Sequence, residues 1–182
     1  SDMYNEAVTL KELLDELLQR QLLENASDST SVKKTFSETK KLAVFFPGIG
    51  YTCDKPLLYY SARLARQHGY EILSVPYTGF PENVRGDARK MKEAFSIALS
   101  QAENILQNVD WDSFTDILFL SKSVGTVVST VFAKRHHLKV RNILFTPLAE
   151  TFSLPTGTAI AFHGTADPWA DTKQLQQLSE ER

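Results

Sequence analysis

A serine stands where a buried strand should turn into a helix. The apolar run 117–120 predicts the strand, the segment from Val124 onward is typical of a helix, and Ser123 lies between them. Such a turn can hold one hydroxyl above the edge of a sheet, provided that the flanking residues are small enough for close backbone approach. Ser121 and Gly125 meet that condition. The spacing therefore predicts an exposed hydroxyl at Ser123.

A serine hydroxyl becomes an effective nucleophile only with suitable partners. It needs a histidine to take its proton, a carboxylate to orient that histidine, and N–H groups to stabilise an oxyanion. Val124, at the mouth of the helix, offers one N–H, and the turn 47–51 after the first predicted strand offers a second at Ile49. Asp167 follows the last predicted strand, at the carboxyl edge where ligands of open α/β folds bind. We therefore expect a nucleophile, an acid and two donors along one edge of the sheet.

These segments resemble those of a known family. Residues 42–182 are similar to the α/β-hydrolase fold superfamily: 121–125 resembles its G-x-S-x-G elbow, 47–50 its H-G-x-G oxyanion turn, and 164–167 the G-x-x-D segment of its acid. Serine replaces the first glycine of the elbow, and proline replaces the histidine of the oxyanion turn. The order of serine before acid agrees with the family pattern.

The resemblance implies a role for each residue. Ser123 would be the nucleophile, Asp167 the triad acid, and Ile49 and Val124 the backbone donors to the oxyanion. Further residues beside these loops are expected to line a substrate pocket: Gly48, Gly50, Tyr51, Lys122 and Trp169. The implied activity is hydrolysis of a small carboxylic ester, thioester or amide through an acyl-enzyme on Ser123, without a cofactor.

The expected base is missing from this set of motifs. The family places its catalytic histidine after the acid, whereas the histidines of this sequence are His68, His136, His137 and His163. We therefore expect that the hydrolase-like domain, 42–182, is incomplete at its C-terminus and that the histidine lies outside the sequence given. The alternative is a non-catalytic binding or regulatory module that keeps the fold without the base.

The composition disfavours several other classes. The 182 residues are 42% hydrophobic with a formal net charge of -2, which predicts a globular protein without a basic surface for nucleic acid. Cys53, the single cysteine, cannot form an internal disulfide, and neither a signal-type apolar core nor a membrane-spanning run appears. No phosphate loop and no zinc spacing are found either. We expect a cytoplasmic protein that contacts no membrane and binds no metal.

Short apolar runs alternate with helical patterns beyond residue 41. The runs are mostly apolar on both faces, as strands of a parallel sheet covered by helices must be. The sequence predicts a doubly wound α/β fold with about five mostly parallel strands. The predicted strands are 42–46, 71–75, 117–120, 142–145 and 159–162, and the predicted helices are 55–68, 87–109, 124–137 and 171–182. The buried stripe expected for the second helix is Met91, Ala94, Phe95, Ala98, Ala102 and Ile105.

The N-terminal part follows a different pattern. Residues 4–24 predict an amphipathic helix whose leucines fall on one face, whereas 25–41 read as a polar linker. The leucine face needs a partner, either the body of the same chain or the same helix of a second copy in a homodimer. We favour packing within one chain because the pattern lasts too few heptads for a coiled coil.

Overall fold

The computed structural model describes residues 39–148, Thr151 and 158–162. The strands in these residues are β1 (Lys41–Phe46), β2 (Tyr70–Ser74), β3 (Asp116–Lys122), β4 (Arg141–Phe145) and β5 (Ala159–Phe162), and the helices are α1 (Pro56–Gln67), α2 (Ala88–Leu106) and α3 (Val124–Arg135). A 3₁₀ turn, Trp111–Ser113, precedes β3. Every strand and helix predicted within the described residues is found, with ends within three residues of the prediction.

The strands form one parallel sheet in the order β2-β1-β3-β4-β5. The central strand β3 and its neighbour β1 are buried along nearly their whole length. Strands that are covered on both faces must be apolar on both faces, which is why their sequences do not alternate. The predicted doubly wound α/β class is confirmed.

The order of the strands reverses between β1 and β3. The chain passes from β1 through α1 to β2 on one side, and α2 then carries it back to β3 on the other side of β1. Open α/β sheets form their ligand crevice at the carboxyl ends of the strands that flank such a reversal. The loops that leave β1 and β3 are the two in which the sequence placed the oxyanion turn and the serine.

Helices cover both faces of the sheet. Phe45 and Leu120 face α1, whereas Phe46 and Phe119 face α2 and α3. The ring of Phe119 lies 4.9 Å from that of Phe46 and 6.4 Å from that of Phe132 in α3, between ring centroids. Tilted aromatic pairs of this kind add roughly 0.5–1.5 kcal/mol each beyond the area they bury. They fix β1, β3 and α3, which carry the candidate site, relative to one another.

The buried stripe of α2 differs from the prediction at one end. Ala94, Ala98 and Ala102 are fully buried as expected, but Ile105 is 37% exposed and Leu106 is buried in its place. Positions three and four residues after Ala102 both lie near the same helix face, so the spacing does not separate them. Packing against the sheet selects Leu106.

Several predictions lie outside the described residues: the amphipathic helix 4–24, most of the linker 25–41 and the C-terminal helix 171–182. Among the helices that the structure does describe, none is both long and apolar enough to cross a bilayer.

Candidate active site

Ser123 has an unusual backbone conformation. Its φ of 53° and ψ of -122° lie outside the regions open to most L-residues. It directly follows β3 and directly precedes α3, so the chain turns from strand to helix within about one residue. A serine at this position of a helix usually caps the first turn with its hydroxyl, but the Ser123 hydroxyl makes no capping bond. The turn thus leaves the hydroxyl available for another role.

Hydrogen bonds on both sides hold this turn. The N–H of Ser123 donates to the carbonyl oxygen of Phe145 at 3.0 Å, and its carbonyl oxygen accepts from the N–H and Oγ1 of Thr126 at 2.9 and 2.6 Å. Thr126 is fully buried, and its Oγ1 lies 2.7 Å from Oγ1 of Thr151, from which it accepts. A backbone conformation that costs about 1–3 kcal/mol persists only where its surroundings over-determine it. The contacts of Thr126 and Phe145 provide that constraint.

Gly125 lets α3 begin directly against the end of β1. A Cβ at this position would lie 2.3 Å from the carbonyl oxygen of Phe46 and 2.5 Å from that of Pro47. Any side chain would therefore push the helix and the strand apart. The sequence analysis predicted a small residue at this position, and Gly125 brings the turn at Ser123 next to the loop that leaves β1.

The turn after β1 lies against Ser123. The N–H of Gly48 donates to the carbonyl oxygen of Tyr51 at 3.1 Å, and the N–H of Tyr51 donates to that of Gly48 at 3.4 Å. Gly50 sits at the tip with a φ of 68°, where glycine is favoured. A Cβ on Gly48 would lie only 3.3 Å from Cβ of Ser123. The Ile49 N–H is used by neither bond of the turn.

Lys122 and Tyr51 contact each other beside the turn. Nζ of Lys122 lies 4.7 Å from the ring centroid of Tyr51 and donates to Oγ1 of Thr146 at 3.0 Å. The Tyr51 hydroxyl in turn accepts from the N–H of Leu57 in α1 at 3.1 Å. A cation over an aromatic ring contributes roughly 0.5–1 kcal/mol at an exposed site. Lys122 therefore joins the loop after β1 to the loop after β4.

A cavity of about 270 Å³ opens at Ser123. Two of the predicted site residues, Ile49 and Ser123, line it. The other described residues that line it come from the β2–α2 loop and the first turn of α2: Pro81, Asn83, Val84, Arg85 and Met91. The sequence prediction missed this wall. The available signal was the presence of Gly79, Asn83 and Gly86 between β2 and α2, since glycine and asparagine are typical of shaped loops. All three residues adopt positive φ.

The β2–α2 loop is anchored to α2. Gln101 makes two hydrogen bonds to the backbone of Thr78: its Oε1 accepts from the N–H at 2.9 Å and its Nε2 donates to the carbonyl oxygen at 2.6 Å. Nζ of Lys90 donates to the carbonyl oxygen of Glu82 at 3.0 Å. These bonds hold the loop at two places, so the cavity wall has a defined position over the serine.

Comparison with known proteins identifies the fold. No family model and no curated protein matches the sequence. A protein of unknown function from Agrobacterium tumefaciens, described as a candidate α/β hydrolase, is 16% identical with a TM-score of 0.54, over 84% of this chain and 71% of that one. An esterase from Pyrococcus furiosus is 11% identical with a TM-score of 0.56, over 79% and 68%. The chain has an α/β-hydrolase-like fold.

In this α/β-hydrolase-like fold, the described histidines lie at the edge opposite Ser123. His68 and His136 cap the C-terminal ends of α1 and α3, and His137 follows directly. The 12 residues of α3 separate His136 from the serine by about 18 Å at 1.5 Å per residue. Nε2 of His136 is also 2.6 Å from Oε2 of Glu103. These three histidines are therefore too far from Ser123 to act as a base there.

The predicted acid and one predicted pocket residue are outside the described part of the chain. These are Asp167 and Trp169, and His163 lies there too. Their roles stay predictions.

Two alternatives to a serine nucleophile are a cysteine nucleophile at Cys53 and a metal site. Burial raises the pKa of the Cys53 thiol, although a hydrogen bond with Ser74 opposes part of the shift. A thiol with a raised pKa is a weak nucleophile at neutral pH. Within residues 39–148, 151 and 158–162, no group of three or more His, Cys, Asp or Glu side chains could hold a metal ion.

Proposed function

We propose that the protein is a serine hydrolase that cleaves small carboxylic esters, thioesters or amides through an acyl-enzyme on Ser123. The observation that carries this proposal is the strained turn at Ser123, which leaves a hydroxyl unused by the helix at the wall of a cavity. Backbone strain of this kind clusters at active sites because catalysis needs a side chain held in one position. The fold shared with the Pyrococcus furiosus esterase supports the same chemistry.

The reaction would proceed in two acyl transfers. A histidine from outside the described residues, oriented by Asp167, takes the proton of the Ser123 hydroxyl while Oγ attacks the carbonyl carbon. The carbonyl electron pair moves onto oxygen, and the tetrahedral intermediate collapses by expelling the alcohol, thiol or amine, which receives the proton from the histidine. Water then attacks the acyl-serine in the same way and releases the carboxylic acid and the free hydroxyl.

Two backbone amides are proposed to stabilise the oxyanion. The N–H of Val124 belongs to the first turn of α3, where a helix has no acceptor of its own for its N–H groups and carries partial positive charge. The second donor is the N–H of Ile49, in the turn that packs against Ser123. Loss of one such donor typically costs about 10²–10³ in kcat.

The cavity favours a small substrate. Its volume of 270 Å³ falls just below the range of roughly 300–1,000 Å³ that is common for pockets of drug-sized ligands. An acyl group of a few carbons fits this space, whereas a long lipid chain would have to extend into solvent.

Labelling with a fluorophosphonate tests the proposal. Full-length protein should gain one adduct, mapped to Ser123, and Ser123→Ala should gain none. Ser96→Ala is the matched control because Ser96 is an exposed serine on α2; it should be labelled like the parent protein. Hydrolysis of 4-nitrophenyl butyrate should follow the same pattern.

A non-catalytic module is the second candidate. The observation that favours it is the position of the described histidines, at the opposite edge of the sheet from Ser123. A protein that is folded by circular dichroism but neither reacts with the fluorophosphonate nor hydrolyses the ester would support this candidate and reject the hydrolase.

A further inference from the structure

A chain of buried hydroxyl groups ends on the carbonyl oxygen of Ser123. Oγ1 of Thr126 lies 2.6 Å from that oxygen and 2.7 Å from Oγ1 of Thr151, and the two threonines are 0% and 1% exposed. We infer that Thr126 is a positioning residue for the oxyanion donor: it aims and strengthens the N–H of Val124 through the peptide group that joins Ser123 to Val124. The inference rests on the proposed function, in which that N–H stabilises the oxyanion.

The hydrogen bonds of this chain run in one direction. A carbonyl oxygen can only accept, so the Thr126 hydroxyl donates its one proton to Ser123 and accepts the bond that joins it to Thr151. The N–H of Leu148 donates to the same Oγ1 at 3.4 Å. These three contacts use the donor and both acceptor positions of the Thr126 hydroxyl, which holds the side chain in one orientation.

The carbonyl oxygen of Ser123 and the N–H of Val124 belong to one peptide group. A trans peptide group is planar, and its C=O and N–H bonds point in opposite directions; no peptide bond of the described residues is cis. The N–H and Oγ1 of Thr126 both donate to this carbonyl oxygen, at 2.9 and 2.6 Å. By holding the oxygen, they direct the N–H of Val124 away from Thr126.

Donation to the carbonyl oxygen also polarises the peptide group. It draws electron density toward the oxygen and so leaves the N–H more positive, which makes the N–H a better donor. Hydrogen bonds in a chain strengthen one another by about 10–30% per bond, and a buried chain gains further because the local dielectric constant is low. The chain from Thr151 through Thr126 should therefore make the Val124 N–H a stronger donor to an oxyanion than an ordinary amide.

The same chain connects the oxyanion donor to the segment that follows β4. Leu148 and Thr151 both belong to this segment, and the N–H of Thr151 donates to the carbonyl oxygen of Leu148 at 3.0 Å. Both residues reach the serine turn through the single hydroxyl of Thr126. A change in this segment should therefore alter the donor strength of Val124 even though the segment lies behind the turn.

A pair of esters that differ in the atom that takes up the negative charge tests the inference. The probes are 4-nitrophenyl butyrate and O-4-nitrophenyl thionobutyrate, in which sulfur replaces the carbonyl oxygen. Attack on the thiono ester moves an electron pair onto sulfur, which is a weak hydrogen-bond acceptor, so the oxyanion donors favour the oxygen ester. In the parent protein, the ratio of kcat/KM for the oxygen ester to that for the thiono ester should exceed the same ratio in hydroxide-catalysed hydrolysis about tenfold or more.

Substitutions in the chain should lower this ratio. Thr126→Val removes the hydroxyl and should lower the ratio about fivefold through kcat of the oxygen ester, whereas Thr126→Ser keeps the hydroxyl and should keep the ratio. Thr151→Val removes only the donor to Thr126 and should lower the ratio about twofold. The control is Thr130→Val, which should keep the parent ratio: Thr130 is also buried on α3, but its Oγ1 donates to the carbonyl oxygen of Thr126.

The inference requires a change in the ratio in addition to any change in rate. An equal loss on both esters in Thr126→Val, or an equal fall of the ratio in Thr130→Val, would assign Thr126 to stability alone and overturn the inference. If Thr126→Val does not fold by circular dichroism, Thr151→Val decides: a lowered ratio supports the inference and the parent ratio overturns it.

A measurement without turnover separates this inference from the proposed function. If neither ester is hydrolysed and Ser123 takes no fluorophosphonate, the hydrolase proposal has failed, and the effect of Thr126 on the peptide group is measured by NMR. The carbonyl ¹³C signal of Ser123 and the amide ¹⁵N and ¹H signals of Val124 should move upfield in Thr126→Val and stay in place in Thr126→Ser and Thr130→Val. Unchanged signals in Thr126→Val would reject the inference.

Discussion

Replacing Ser123 by glycine should give a more stable protein that lacks the proposed hydrolase activity. The reason is the backbone at Ser123, where φ is 53° and ψ is -122°. Glycine adopts positive φ readily, whereas a residue with a Cβ is strained there. Ser123→Ala removes the same hydroxyl but keeps the Cβ, so it serves as the comparison that isolates the strain.

The size of the effect follows from two opposing contributions. Relief of the strain should stabilise the folded state by about 2 kcal/mol. The greater freedom of glycine in the unfolded chain should offset about 0.7 kcal/mol of this. No capping bond is lost, since the Ser123 hydroxyl makes none. The net gain of about 1.3 kcal/mol corresponds to a rise in Tm of about 3–5 °C for a domain of this size.

Urea unfolding and calorimetry of the parent protein, Ser123→Gly and Ser123→Ala measure this effect. Ser123→Ala should stay within about 0.5 kcal/mol of the parent protein. Ser96→Gly is the control for glycine itself, because Ser96 is exposed in the middle of α2; it should lose roughly 0.5–1 kcal/mol. A Ser123→Gly protein that is less stable than Ser123→Ala would refute the view that this turn stores strain.

Three further predictions concern the residues around the serine. Gly125→Ala should lower the free energy of unfolding by about 3 kcal/mol, measured by urea unfolding, because the new Cβ would meet backbone carbonyl oxygens at 2.3 and 2.5 Å. The control is Gly69→Ala, where the space is open. It should lower the free energy of unfolding by only about 1 kcal/mol, because of the positive φ of Gly69. Lys122→Met should lower kcat about tenfold with little change in KM, because it releases the turn at Tyr51, which carries the proposed oxyanion donor Ile49. A raised KM at constant kcat would instead assign Lys122 to substrate binding. Burial raises the pKa of Cys53, so this residue holds less thiolate near pH 8 than a free thiol does. Its alkylation by iodoacetamide should therefore be slower than that of glutathione and should accelerate only at a higher pH. Equal alkylation rates would contradict the burial of Cys53.

The sequence was informative where burial alone decides the structure. β1 and β3 are apolar on both faces because helices cover both, so a continuous apolar run was enough to locate them and to indicate a parallel sheet. The small residues Gly48 and Gly125 were predicted from the need for close backbone approach, and each packs against the neighbouring loop. Where two positions satisfy the same spacing, as Ile105 and Leu106 do, only the packing decides.

The sequence indicates a shaped loop between β2 and α2 but not that this loop forms a wall of the cavity at Ser123. Arg85 and Met91 come near Ser123 because the β2–α2 loop follows a particular path, which depends on residues with positive φ and on the two bonds between Gln101 and Thr78. None of these contacts has a periodic pattern. The partnership of Lys122 with the ring of Tyr51 was missed for the same reason, since it joins loops that leave different strands.

Mass spectrometry of the protein during turnover tests the role of Ser123 most directly. Full-length protein would be mixed with 4-nitrophenyl butyrate, quenched in acid within the first turnovers and digested. The proposed mechanism predicts a butyryl group on Ser123 itself. The control variant Ser96→Ala keeps this nucleophile, so it should carry the same butyryl group. Ester hydrolysis that continues in Ser123→Ala, or a butyryl group found on another residue while Ser123 stays unmodified, would contradict it.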